Sequence, residues 1–199
     1  MKRREWLFFL SVCVLLIFCA APAGFAERAE SGLGKWLQEA GVFAGYSESG
    51  LKHQHDMQTI PLGMRFGFDL KPFTEKFGFS PKGILELVYE PFISPIISPR
   101  SNVEFGLDVF LKYAYPVTSR FYPFVEIGTG PYYMTLGSYE QSTRFNFLSQ
   151  GGAGLMYFVR KDLAISVEYR RRHVSNASMK SPNAGIDGNE YLVGASLFF

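Results

Sequence analysis

His173 and Ser175 stand two residues apart in the run HVSNASMKSPNAGID, which ends on Asp187. An imidazole, a hydroxyl and a carboxylate are the three groups of nucleophilic acyl transfer. The hydroxyl attacks, the imidazole takes its proton, and the carboxylate orients the ring and stabilises its charged form. Asn176, directly after the hydroxyl, adds an amide of the kind that supports a developing oxyanion. On a helix, residues i and i+2 do not face each other; on a strand they share a face. Whether these residues can act together therefore depends on the element that carries them.

Residues 1–26 read as an export signal: Lys2, Arg3 and Arg4 precede an apolar stretch from Trp6 to Ala21, with Gly24 and Ala26 at a small-residue cleavage site. Both cysteines, Cys13 and Cys19, fall inside that segment, so the chain from Glu27 onward has no thiol for a disulfide, a metal or a Cys nucleophile. The net charge of +2, with no basic run interleaved with aromatics after the signal, argues against a nucleic-acid partner. No later stretch approaches the length of a transmembrane helix. Yet the chain holds 20 Phe and 11 Tyr. An exported, aromatic-rich chain with no spanning helix has one other way through a membrane, a closed barrel whose backbone groups all pair between strands.

Alternation tests this, because every strand of such a barrel must be apolar on its outer face. Ile60, Leu62, Met64, Phe66, Phe68 and Leu70 alternate with Gly63, Arg65, Gly67 and Asp69. Val103 to Tyr115 repeats the pattern around Glu104, Asp108 and Lys112, and Leu163, Ile165, Val167 and Tyr169 oppose Ser166, Glu168, Arg170 and Arg172. Eight segments qualify: 41–49, 57–70, 83–92, 102–116, 121–134, 144–159, 162–175 and 189–199. The expected fold is all-β, an eight-stranded antiparallel transmembrane barrel over 27–199 with a side-chain-filled interior and no pore. Its inward set would be Arg65, Asp69, Glu86, Glu90, Glu104, Asp108, Lys112, Glu126, Glu168, Arg170 and Arg172, a paired internal network, since unpaired buried charges are costly. Residues 27–40 could form a short interfacial helix around Trp36 and Leu37.

The connections 117–120 and 160–161 are tight, whereas 50–56, 93–101, 135–143 and 176–188 are longer; 71–82 is a longer connection among the tight ones. In outer-membrane barrels the long loops lie outside the cell. Carrying the parity of 163–169 upward puts Arg171, His173 and Ser175 on the outer face. Tracing the last strand back from Phe199 through Leu197, Val193 and Tyr191 reaches Asp187 on the same face, with Glu190 inward. A hairpin centred near Lys180 then sets Asp187 opposite His173, so the three groups converge on the wall near the membrane surface.

Other motifs carry less. His53, His55 and Asp56 have a spacing that can bind metal, but a third well-placed ligand is missing, and no metal is expected. GTGPYY and GGAGL lie in strand segments, where glycine relieves crowding, and no helix follows to make a phosphate loop.

The run from His173 to Asp187 resembles the motif of the PagL family, outer-membrane lipid A 3-O-deacylases whose eight-stranded barrel carries a His/Ser/Glu triad on its lipid-facing surface. The likeness includes Asn183 in SPN and the Gly-Ile pair before the acid. It implies His173 as general base, Ser175 as nucleophile, Asp187 in place of the family's glutamate and Asn176 near the oxyanion. It further implies a serine esterase without cofactors, acting on lipid A of lipopolysaccharide in the outer leaflet. Two positions depart from the pattern: Asp187 is one methylene shorter than Glu, and Ser178 stands where glycine is expected. The alternatives are a non-catalytic small barrel of the OmpA type and a palmitoyltransferase of the PagP type, whose internal acyl cavity the charged lumen disfavours. Apolar outer faces leave a homodimer open.

Overall fold

The computed structural model describes residues 36–199. The signal segment with its cysteines, and 27–35 of the expected interfacial helix, lie outside the described residues. Nine strands form one antiparallel sheet: β1 (Leu37–Ser49), β2 (Met57–Thr59), β3 (Leu62–Asp69), β4 (Ile84–Ser98), β5 (Asn102–Ala114), β6 (Phe121–Met134), β7 (Phe145–Phe158), β8 (Leu163–Ser175) and β9 (Ile186–Phe198). β1 pairs with β9 from Glu39↔Phe198 to Ser49↔Gly188, which closes the sheet into a barrel. β2 and β3 are one stave interrupted at Ile60-Pro61, so the closed barrel has eight staves.

Side chains sort as period-2 alternation requires. Along β8, Ala164, Ser166, Glu168, Arg170, Arg172 and Val174 are buried, while Ile165, Val167, Tyr169, Arg171 and His173 are exposed. Outward-facing Met64, Ile93, Leu111, Val125, Ile127 and Val167 form the apolar outer band. Inside, an apolar layer at the long-loop end (Met57, Ile96, Tyr132, Met134, Leu148, Val174) and another at the short-turn end (Ile84, Phe124, Met156, Phe158) sandwich a belt of charge.

The three arginines and the lysine of the belt are all ion-paired. Arg65 donates to Glu90 at 2.6 Å and to both oxygens of Glu168 at 2.8 and 2.9 Å. Arg170 reaches Glu90 at 2.7 Å and Glu168 at 3.0 Å, with its guanidinium 4.3 Å from the Phe110 ring centroid. Arg172 holds Glu104 at 3.0 and 3.2 Å and Glu190 at 3.5 Å. Lys112 binds Glu39 and lies 3.0 Å from Glu86. The expected inward set is buried with one exception: Asp69 is half-buried at the end of β3, where its Oδ1 accepts the Lys71 N–H at 2.9 Å.

Two expectations need correction. Leu37 to Ala40 are strand rather than helix, because they pair with β3 and bring Glu39 to Lys112. β4 runs to Ser98, beyond the expected end at 92, which reduces that loop to 99–101. The connection after β3 contains a short helix, Lys71–Thr74, and a 3-10 turn, Glu75–Phe77. No helix among the described residues is long and apolar enough to cross a membrane.

Candidate active site

β8 and β9 form the hairpin that carries the candidate acyl-transfer residues. Their register runs from Leu163↔Leu197 through Arg170↔Glu190 to His173↔Asp187, with no slip. His173 and Asp187 are thus direct cross-strand partners on the outer face, where opposed side chains are close enough to bond. His173 Nδ1 lies 2.8 Å from Asp187 Oδ1. A carboxylate can only accept, so Nδ1 carries the proton and Nε2 is left as the ring's acceptor. Both side chains stay accessible, at 48% and 61% exposure. Ser175, the last residue of β8, follows His173 on the same face and is half-buried. Glu190, the other acid of β9, points inward to Arg172.

Gly185 fixes the ring from its other side. Its φ of +77° is a left-handed conformation that favours glycine, and a Cβ there would sit 2.7 Å from His173 Cε1. The backbone of residue 185 therefore packs directly on the imidazole. Sequence reasoning quoted this glycine only as part of a motif, since its contact with His173 depends on a turn that alternation does not describe.

The loop after Ser175 is held by Asn176 and by a neighbouring loop. Asn176 is buried; its side-chain amide donates to the Lys180 carbonyl at 2.7 Å and the Pro182 carbonyl at 3.5 Å. Its own N–H donates to Asn183 Oδ1 at 2.9 Å. Asn176 thus orders the loop, with its amide hydrogens turned to loop carbonyls. The Met179 N–H closes a turn on the Asn176 carbonyl at 3.0 Å, and the two central residues, Ala177 and Ser178, have φ of 51° and 62°. That turn requires left-handed backbone twice, which is costly for residues with a Cβ. From β6–β7, Gln141 pairs with Asn183, Ser142 N–H donates to the Pro182 carbonyl and Ala184 N–H donates to the Glu140 carbonyl. The buried Glu140 side chain also accepts the Lys52 N–H at 2.7 Å, tying in the loop after β1. No local pattern marks Glu140 or Gln141, because their partners are distant in sequence.

On the β1 side of Asp187 lies a polar cleft of about 520 Å³, lined by Glu48, Lys52, Asp56, Arg171 and Asn189. Arg171 faces outward, as parity requires, and donates to Asn189 at 3.0 Å. The His53 ring packs edge-on against Tyr139 at 5.4 Å, and Asp56 accepts the Leu51 N–H. No cluster of three or more potential metal ligands occurs among the described residues.

The family model described as "Lipid A 3-O-deacylase (PagL)" matches residues 58–196. Among solved structures, that of the outer membrane enzyme PagL superposes with a TM-score of 0.60 at 20% identity, covering 78% of this chain and 97% of that one. Neisserial surface protein A also superposes with a TM-score of 0.60, at 12% identity, over 81% of this chain and 96% of its own. These likenesses establish an outer-membrane barrel fold, and shape alone does not separate the two. No curated protein matches the sequence.

Proposed function

The chain belongs to the lipid A 3-O-deacylase (PagL) family, and from that premise we propose that it hydrolyses the ester-linked 3-hydroxyacyl chain at the 3 position of lipid A, with Ser175 as nucleophile. The observation that carries this reading is the 2.8 Å His173–Asp187 bond on the outer wall, with Ser175 on the same face. In this mechanism Ser175 Oγ attacks the ester carbonyl carbon while its proton passes to His173 Nε2. Asp187, accepting from Nδ1, stabilises the imidazolium. Collapse of the tetrahedral adduct breaks the bond to the sugar oxygen, which takes that proton and leaves as a free hydroxyl. Water, deprotonated by the same nitrogen, then cleaves the Ser175 ester and releases the hydroxy acid.

Donors for the oxyanion would come from main-chain N–H groups in the strained 177–178 turn, with Asn176 supporting that turn through its bonds to Lys180 and Pro182. The substrate is itself a membrane lipid, so a site on the wall meets it directly in the outer leaflet. The polar cleft beside Asp187 suits the sugar headgroup. The lumen is filled by ionic pairs and offers no acyl cavity of the kind a palmitoyltransferase would use. The test is expression of wild type and Ser175→Ala in a Gram-negative host, followed by mass spectrometry of lipid A. Loss of one hydroxyacyl mass with wild type alone is expected; identical spectra would refute the reading.

A further inference from the structure

The connection between β3 and β4, at the short-turn end of the barrel, reads KPFTEKFGFSPK over 71–82 and leaves three phenylalanines uncovered. Phe73, Phe77 and Phe79 are 56%, 75% and 57% exposed. Neither the helix Lys71–Thr74 nor the turn Glu75–Phe77 buries any residue, and the Phe73 and Phe77 rings pack on each other at 5.3 Å between centroids. The backbone holds them there. The Phe73 and Thr74 N–H groups both donate to the Leu70 carbonyl at 3.0 Å, and the Phe79 N–H returns to the Thr74 carbonyl at 3.1 Å. Gly78, with φ of +75°, makes the reversal between Phe77 and Phe79.

The end of the segment shows which way it leans. The Tyr113 hydroxyl donates to the Lys82 carbonyl at 2.8 Å, and Tyr113 lies on the outer face of β5, opposite in parity to the buried Lys112 and Ala114. The chain therefore leaves the segment along the outer wall, while the lumen below is filled by Ile84, Phe124, Met156 and Phe158. At the same rim the Trp36 carbonyl accepts the Asp69 N–H, and the Trp36 and Tyr115 side chains are exposed, as in an interfacial aromatic girdle. Lys71, Lys76 and Lys82 stand in the segment against one acid, Glu75, which accepts the Ser80 hydroxyl at 3.0 Å.

We propose that 71–82 is a lipid-seating foot: Phe73, Phe77 and Phe79 enter the phospholipid leaflet at the short-turn rim, and Lys71, Lys76 and Lys82 take the phosphates of anionic headgroups. Two observations select lipid as the partner. The rings continue a wall that the barrel fold already sets in a bilayer, and aromatic side chains interleaved with lysines suit the boundary between acyl chains and headgroups. Interfacial aromatic and cationic anchors set how a spanning element sits in its bilayer, so the foot fixes the height of the rim below β3 and β4. This role goes beyond the deacylase reading and does not depend on it.

The experiment uses the full chain folded into vesicles of phosphatidylcholine and phosphatidylglycerol in equal parts, with bromine on the acyl chains of one lipid or the other. In a Trp6→Phe/Trp36→Phe background, Phe77→Trp supplies the only indole, and heat-modifiable gel mobility reports folding. Its emission is quenched by either brominated lipid and shielded from aqueous iodide. Quenching is stronger with bromine on phosphatidylglycerol, corresponding to an association constant about fivefold above that for phosphatidylcholine. Adding Lys71→Gln, Lys76→Gln and Lys82→Gln together brings that ratio to about one and leaves the quenching itself in place. Phe73→Trp in the same background gives the same pattern from the helix. Folded Phe77→Trp and Phe73→Trp proteins that iodide reaches and neither lipid quenches would overturn the foot, and would leave a periplasmic protein to cover the rings. A ratio of one with the lysines intact would overturn their role as headgroup ligands.

Discussion

The two faces of β8 carry the same kinds of group to opposite ends. Inward, Arg170 is gripped by Glu90, Glu126 and Glu168 at once, and none of these side chains is more than 1% exposed. Outward and three residues on, His173 has Asp187 alone, at a similar distance and about half exposed. Burial and redundancy make the first group a strut, because a buried charge held by several partners has no other state within reach. Access and a single orienting partner are what the proposed general base requires. An ion pair therefore signals chemistry here by its side of the wall and by its spare valence, and its length carries no such information.

The largest effect that sharpens this contrast is in the two acids of β9. Asp187→Ala should cost about four orders of magnitude in kcat with unchanged heat-modifiable mobility, by analogy with the loss of the orienting carboxylate in other triads. Glu190→Ala, one lumen ligand of Arg172, should leave kcat within a few-fold and lower thermal stability instead. The reverse assignment would show that the inward acid serves the site. Arg170→Leu breaks the comparison from the other side. It strands the buried Glu126, leaves Glu90 and Glu168 with Arg65 alone, and should lower unfolding stability in urea by about 3 kcal/mol or more, while the fraction that folds keeps its activity.

Alternation made the wall legible before any coordinates, and it did so for a physical reason: a lipid-facing strand has no freedom to place charge outward. Parity put Arg171, His173 and Ser175 outside, with Arg170 and Arg172 inside, and the structure agrees. The signal failed where side chains are small or cyclic. In β1, Ala40, Gly41 and Ala44 flatten the contrast, so Glu39 was read into a helix and its bond to Lys112 went unseen. In β4, Pro95 falls in the stretch 93–101 that reads as a loop, yet the strand continues to Ser98. The Ile60 N–H reaches the Pro95 carbonyl at 3.1 Å, where the opposite stave is itself broken at Pro61. The site divides in the same way. Its candidate reacting groups lie on strands and could be placed by counting, whereas Gly185, Glu140 and the turn at 177–178 lie in loops whose geometry follows from long-range contacts.

Gly185→Ala probes that loop-borne part and should have the next largest effect. The substitution asks for a left-handed alanine and places a methyl against the His173 ring. A ring displacement of order 1 Å can cost about a hundredfold in rate, so kcat should fall by about that factor while KM changes little. Unchanged kcat would mean that the imidazole is fixed by Asp187 alone. Ser178→Gly runs the other way: it relieves a left-handed residue with a Cβ and should stabilise the fold by about 1 kcal/mol, read as a higher melting temperature.

The smallest effect concerns Ser149, the register partner of His173 on β7. Thr129 Oγ1 donates to the Leu148 carbonyl and lies 3.2 Å from Ser149 Oγ, so Ser149 is the donor between the two hydroxyls. Its lone pairs remain free, on the strand next to His173 and facing the lipid. A hydroxyl on the third carbon of an acyl chain entering there could donate to Ser149, whereas a plain chain could not. One such neutral bond contributes about 1 kcal/mol, a preference of about fivefold. Ser149→Ala should therefore lower kcat/KM for 3-hydroxyacyl esters by about that factor and leave esters of unsubstituted chains of the same length unaltered. Equal losses on both would place the hydroxyl preference elsewhere, in the loops above Ser175.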